Sequence, residues 1–176
     1  DDYAGYRMRW FDRWLKGIDN GVDAEKPVRI FVMGGGNSEK DRNGRLSHMG
    51  EWRDVEDWPL AETNYTPYYI HGDGSLSREE PQASVPTPYT FDPRDPVPTM
   101  GGGISAANQV MDAGAFDQRG HKRFYGSKDT LPLSARSDVL VFQTTVLEED
   151  LEVTGPLTVK LWASSSAKDT DFTVKL

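Results

Sequence analysis

Two periodicities divide this chain. Near its start, apolar side chains recur every 3.6 residues, so that Trp10, Trp14, Ile18, Phe11, Leu15 and Met8 share one broad face. Arg9, Asp12, Arg13 and Lys16 share the opposite face, and the pattern predicts an amphipathic helix. Arg7 projects from the apolar side, where so long a side chain must snorkel or find a partner. Gly17 marks the stop, with Lys16 facing the negative end of the helix. Beyond the turn signals at Asn20-Gly21 and Pro27, the period changes to two. Val28 to Met33 reads as a short strand with Val28, Ile30 and Val32 on one face, ended by Gly34-Gly35-Gly36. Thr66 to His71 reads as a second strand, running into a hairpin-like turn at Gly72-Asp73-Gly74 with Leu76 beyond. Strands are also predicted at 139–146, 157–162 and 172–176. In the last of these Phe172, Val174 and Leu176 alternate with Thr173 and Lys175.

The stretches between these elements have their own signatures. Residues 37–50 are polar and rich in Arg, Asp, Asn and Gly, which predicts a mobile surface loop. Trp52, Trp58, Pro59 and Leu60 form an aromatic patch around the acidic Asp54–Asp57 segment. Residues 79–102 hold Pro81, Pro86, Pro88, Pro93, Pro96 and Pro98; each proline removes a ladder donor, so this is an extended crossing loop. Residues 104–135 are irregular. The fold class is therefore mainly β, an antiparallel β-sandwich preceded by a helix and a strand. A helix face carrying two tryptophans needs a large partner surface, and the final strand has no turn signal after it. Both ends are accordingly expected to rest against further polypeptide.

Composition narrows the functional classes. With 36% apolar residues, 17 Gly and 11 Pro, the 176-residue chain suits a loop-rich β protein better than a helical bundle. Five Trp, seven Tyr and seven Phe are enough to build a core. The net charge of −8 with no basic patch argues against a nucleic-acid partner. The absence of cysteine rules out disulfides and thiolate metal sites and leaves the compartment, cytoplasmic or secreted, open. No apolar run reaches the roughly 18 residues of a membrane span, so no membrane partner is expected.

Catalytic signals are sparse. Gly103-Ile104-Ser105-Ala106-Ala107 has the spacing of a relaxed nucleophile elbow, yet a proline-rich loop precedes it where a strand is required. Gly34-Gly35-Gly36 lacks the lysine and spacing of a phosphate cradle. His48, His71 and His121 stand far apart, and Asp169-x-Asp171 is too small a ligand set for a cation. No catalytic residue, metal ligand or cofactor is assigned. Asn64-Tyr65-Thr66 is a glycosylation sequon, meaningful only in a secreting source.

An ordered set of segments resembles one enzyme family. They are Arg13 to Gly21, Val28 to Gly34, Trp52 to Leu60, Tyr68 to Ser77, Phe91 to Gly102, Gly114 to Arg119 and 137–176. Together they resemble the C-terminal portion of the α/β-serine hydrolases that comprise X-Pro dipeptidyl-peptidases, cocaine esterases, α-amino-acid ester hydrolases and cephalosporin acylases. The polar stretch 37–50 departs from that pattern as a lengthened loop. The resemblance implies that residues 1–60 are the end of an α/β-hydrolase catalytic domain. It implies that 61–176 are the first part of an incomplete, jelly-roll-like β-domain. The nucleophile, acid and histidine of that family lie upstream and match no residue here, so the chain is expected to be inactive alone, with a small ester or peptide substrate only in the parent enzyme. Its expected partner is the catalytic-domain polypeptide, with homo-oligomerisation a further option. Trp52 and Trp58 are candidates for a domain seam or a substrate entrance. Leu140 and Phe142, alternating with Val139 and Val141, are candidates for sandwich core or for a face turned to the catalytic domain. The alternative without hydrolase parentage is a β-sandwich module that binds a carbohydrate or another ligand.

Overall fold

The computed structural model describes residues 2–42, 46–83, 85–100, 117–121 and 126–176. The predicted helix forms as α1, Tyr3–Lys16. Asp2 caps it, its Oδ1 accepting from the Gly5 amide at 2.8 Å. Gly17 ends it in the left-handed conformation at φ 69°, with the Gly17 and Ile18 amides donating to the Arg13 and Asp12 carbonyls. Arg7 does find a partner, its guanidinium lying 5.7 Å from the Tyr3 ring centroid.

Two units divide the chain. The first combines Asp1–Val28, Val55–Thr63 and Glu152–Leu176. Here a 3₁₀ turn at Val22–Ala24 follows α1. Lys26 pairs with Glu56 at 3.0 Å, and the Thr63 hydroxyl donates to the Thr154 carbonyl at 3.2 Å. Leu60 is buried.

The second unit combines Arg29–Asp54 and Asn64–Leu151. Strand β1 spans Val28–Val32, close to the predicted limits, and hydrogen-bonds to β2, Glu51–Val55. The segment between them is not the loose loop that its polarity predicts. It returns on itself: a Cβ on Gly50 would meet the Val32 carbonyl oxygen at 2.4 Å, one on Gly34 the His48 carbonyl oxygen at 2.7 Å, and Lys40 bridges Leu46 in antiparallel sense. Glycine at 34 and 50 is what lets the two backbones approach this closely. Polarity reports only which side chains face water, whereas backbone pairing depends on the space between the two arms.

Strand β3, Tyr69–Ile70, pairs antiparallel with β4, Leu76–Ser77, in the register Tyr69↔Ser77 and Ile70↔Leu76. The predicted turn closes this hairpin. Asp73 Oδ1 accepts from both the amide and the hydroxyl of Ser75, and the Gly74 amide donates to the His71 carbonyl. These hydrogen bonds hold the Asp73 carboxyl below its ordinary pKa. A parallel bridge then joins Ser75 to Gln143, through Leu76 N to Gln143 O at 2.8 Å and Gln143 N to Gly74 O at 3.0 Å. Met100 is buried in this unit.

The architecture is thus mainly non-helical, with two small sheets and one helix among the described residues. The strands expected at 139–146, 157–162 and 172–176 form no ladder; the Gln143 bridge is their one pairing among the described residues. Alternation tells which face of a strand is apolar, but a ladder also requires a neighbour that offers its N–H and C=O groups.

Candidate interaction surface

Trp52 belongs to an aromatic cluster on the β1–β2 hairpin, centred on Phe31. Its ring meets Phe31 edge-on at 5.2 Å between centroids, and His48 meets Phe31 edge-on at 5.1 Å. The Arg29 guanidinium lies 5.4 Å from the Trp52 centroid and 3.5 Å from the Asp54 carboxylate. The pleat explains the grouping. Arg29 and Phe31 occupy one face of β1, and Trp52 and Asp54 one face of β2. Of these residues Trp52 alone is a candidate by sequence; Arg29, Phe31 and His48 join it through the fold. The signal was available for the first two, as the positions between Val28, Ile30 and Val32. Nothing local marks His48, which arrives through the return of the polar arm. Strand β2 itself went unrecognised because Glu51-Trp52-Arg53-Asp54-Val55 is mostly charged and makes its ladder with β1.

Trp58 belongs to the first unit, follows Asp57, whose Oδ1 accepts from the Trp58 amide at 2.7 Å, and is 45% exposed, as is Trp52. Leu140 is exposed and Phe142 half-buried. Val139 shares the burial of Phe142 while Val141 shares the exposure of Leu140, so burial does not alternate as a pleated strand would require. Ser105 of the relaxed elbow, like the glycines at 101–103, lies outside the described residues.

The polar groups are bound up in local structure. His71 Nε2 and Ser77 Oγ share a 2.9 Å hydrogen bond across the β3–β4 hairpin, and the same Ser77 oxygen accepts from the Glu79 amide. They line an open cleft of about 680 Å³ with Tyr68, Gln143, Thr144 and Leu147. Arg136 forks onto Asp138 at 2.8 and 2.7 Å and donates to the Asp95 carbonyl at 2.7 Å. Lys128 reaches Asp95 at 2.6 Å. The Arg136 fork holds the Asp138 carboxyl below the usual range, and Lys128 does the same for Asp95. These are pairings that fasten loops to one another. Among the described residues no group of three His, Asp or Glu side chains could hold a metal ion, and no helix is long and apolar enough to cross a membrane.

One face of α1 is apolar and exposed. Trp10 and Trp14 pack ring to ring at 5.7 Å, yet are 54% and 56% exposed, and no residue of α1 is buried. Large apolar side chains exposed in this way do not form a finished core.

The family described as the X-Pro dipeptidyl-peptidase C-terminal non-catalytic domain matches residues 20–176. The chain belongs to this family. It is 38% identical over 176 residues to the cocaine esterase of Rhodococcus sp. (strain MB1 Bresler), across 95% of this chain and 26% of that protein. It is 24% identical over 177 residues to a Mycobacterium bovis protein named "Putative serine esterase", across 99% of this chain and 23% of the relative. A Mycobacterium tuberculosis protein of the same description matches to the same extent. The chain therefore spans about a quarter of the length of the curated relatives it matches. No solved structure matches it.

Proposed function

We propose that this chain is the non-catalytic part of a serine hydrolase of the esterase and X-Pro dipeptidyl-peptidase type, and that it packs against the catalytic domain of its parent. The observation that carries this reading is the match of residues 20–176 to a non-catalytic domain, joined to 38% identity with a much longer esterase. The uncovered apolar side chains of α1 support it, because a helix with this surface gains stability only when another body covers it.

In this reading residues 1–60 complete the catalytic domain and 61–176 begin a jelly-roll-like sandwich, whose unpaired segments at 157–162 and 172–176 take their ladder partners from further polypeptide. Trp52, with Phe31 and Arg29 behind it, and Trp58 lie at the domain seam. Leu140 and Phe142 share one face of their segment and Val139 and Val141 the other, one face packing in the sandwich and the other turned to the same neighbour. The parent chemistry is acyl transfer through a serine nucleophile supplied upstream, acting on a small ester or peptide. The acyl group is selected by that upstream part.

Expression of the complete reading frame beside the 176-residue chain tests the proposal. The complete polypeptide should hydrolyse a chromogenic ester and be labelled by a fluorophosphonate, while the chain alone gives background. Turnover by the chain alone that disappears in Ser105→Ala would overturn the non-catalytic assignment.

A further inference from the structure

Strand β4 and the segment after Gln143 begin as neighbours and then part. Both lie within the second unit. The Leu76 amide donates to the Gln143 carbonyl at 2.8 Å, beside the parallel Ser75–Gln143 bridge. Amides two residues apart on a strand point to the same edge, so a continued ladder would send the Arg78 amide to the Thr145 carbonyl. Among the described residues no backbone hydrogen bond joins 77–79 to 144–147. Ser77 supplies a local reason. Its hydroxyl oxygen accepts from the Glu79 amide at 3.1 Å and is held by His71 Nε2 at 2.9 Å, so the chain bends where β4 ends. Side-chain bonds of this kind compete with a ladder. The open cleft of about 680 Å³ is the wedge left between the two arms.

The walls of the wedge carry a distinctive set of groups. Arg78 is exposed and stands over the Tyr68 ring, its guanidinium 5.7 Å from the centroid. The register Tyr69↔Ser77 brings Tyr68 opposite Arg78, so the ring steadies the cation without neutralising it. Glu79 adds an exposed carboxylate, and among the described residues neither of these two charges has an ion-pair partner. Leu76 and Leu147 supply apolar wall, with Leu147 51% exposed. One place thus offers a charge of each sign, apolar surface and an open backbone edge. A simple anion uses only the first charge, and a sugar uses neither. A peptide with both termini free uses every group. The volume suits a few residues, since small-ligand sites span about 300–1,000 Å³.

We propose that the wedge between β4 and residues 144–147 binds a short peptide with free termini. The peptide lies extended between the arms and pairs its backbone with the edge that opens beyond the Leu76–Gln143 bond. Its carboxylate sits on Arg78, its ammonium on Glu79, and an apolar side chain against Leu76 and Leu147. Every group the site uses belongs to the second unit of this chain, independent of the parentage argued above.

Isothermal titration calorimetry of the complete polypeptide, with any reactive serine blocked by phenylmethylsulfonyl fluoride, tests the site with three probes: leucyl-leucine, its N-acetyl form and its C-terminal amide. Leucyl-leucine should bind with a Kd on the order of 0.1–1 mM. Loss of either terminal charge should weaken binding about ten-fold, as removal of one charge-assisted hydrogen bond does. In Arg78→Gln the free dipeptide should bind no better than the amide does to wild type, and in Glu79→Gln no better than the N-acetyl form does. Circular dichroism checks that both variants fold, and the three probes on wild type test the site without any variant. Absence of binding to wild type would overturn the site, as would binding that ignores both substitutions, which places the peptide elsewhere. Equal binding of all three probes would overturn the recognition of free termini.

Discussion

Replacing Trp52 with alanine distinguishes a residue that merely stiffens its own hairpin from one that lies at a domain seam. Within the chain, Trp52 makes an edge-on contact with Phe31 and carries Arg29 over its face. The aromatic pair contributes about 0.5–1.5 kcal/mol beyond area and the exposed cation–π contact about 0.5–1 kcal/mol. The hairpin itself should therefore lose about 1–2.5 kcal/mol, with buried ring area adding to it. The residue is 45% exposed, which for a side chain of roughly 250 Å² leaves about 110 Å² that a neighbouring domain can cover. At ~25 cal/mol per Å² that cover contributes up to about 3 kcal/mol. In the complete enzyme Trp52→Ala should thus cost up to about two to four times what the hairpin contacts alone explain, with kcat/KM for different acyl groups falling in parallel. Denaturant unfolding and ester kinetics on wild type, Trp52→Ala, Phe31→Ala and the double variant supply both quantities. If the loss equals the Phe31 coupling measured by the double-mutant cycle, the seam role fails. A normal unfolding curve with altered substrate preference would place Trp52 in a pocket wall instead.

Three further outcomes follow from the geometry. Gly50→Val should destabilise the β1–β2 hairpin by about 1–3 kcal/mol, because the new Cβ meets the Val32 carbonyl oxygen at 2.4 Å and the Phe31 ring at 2.6 Å; a wild-type denaturation midpoint would refute the close approach. Asp2→Ala should cost α1 about 1 kcal/mol by removing the acceptor of the Gly5 amide, seen as reduced helicity by circular dichroism, while Asp2→Asn should hold it. Asp138 has a native pKa below its ordinary value because Arg136 bonds the charged form. The unfolded chain therefore binds the proton first, and the contribution of the pair is complete above about pH 4 and lost as pH falls through the depressed native value. Asp138→Asn should flatten the stability-versus-pH curve below about pH 4 and leave its shape at neutral pH unchanged; an unaltered acid limb would refute the role.

What the sequence determined by itself was local. The 3.6-residue spacing, the Asp2 cap and the Gly17 stop specify α1 through contacts within one or two turns, and they do so with no knowledge of what covers the aromatic face. The Gly72-Asp73-Gly74 turn closes β3 on β4 for the same reason, since its hydrogen bonds link neighbours in the chain. Family membership was also legible, because it resides in the order of many short segments rather than in any one site. Tertiary structure decided the rest. The polar arm became half of a hairpin because glycines allow two backbones to touch, and that return delivered His48 to the Trp52 cluster. The C-terminal apolar alternation yielded no ladder among the described residues, because a strand is defined by the neighbour that accepts its hydrogen bonds. Alternation is a property of one segment, pairing a property of two, and only a fold brings the second segment into place.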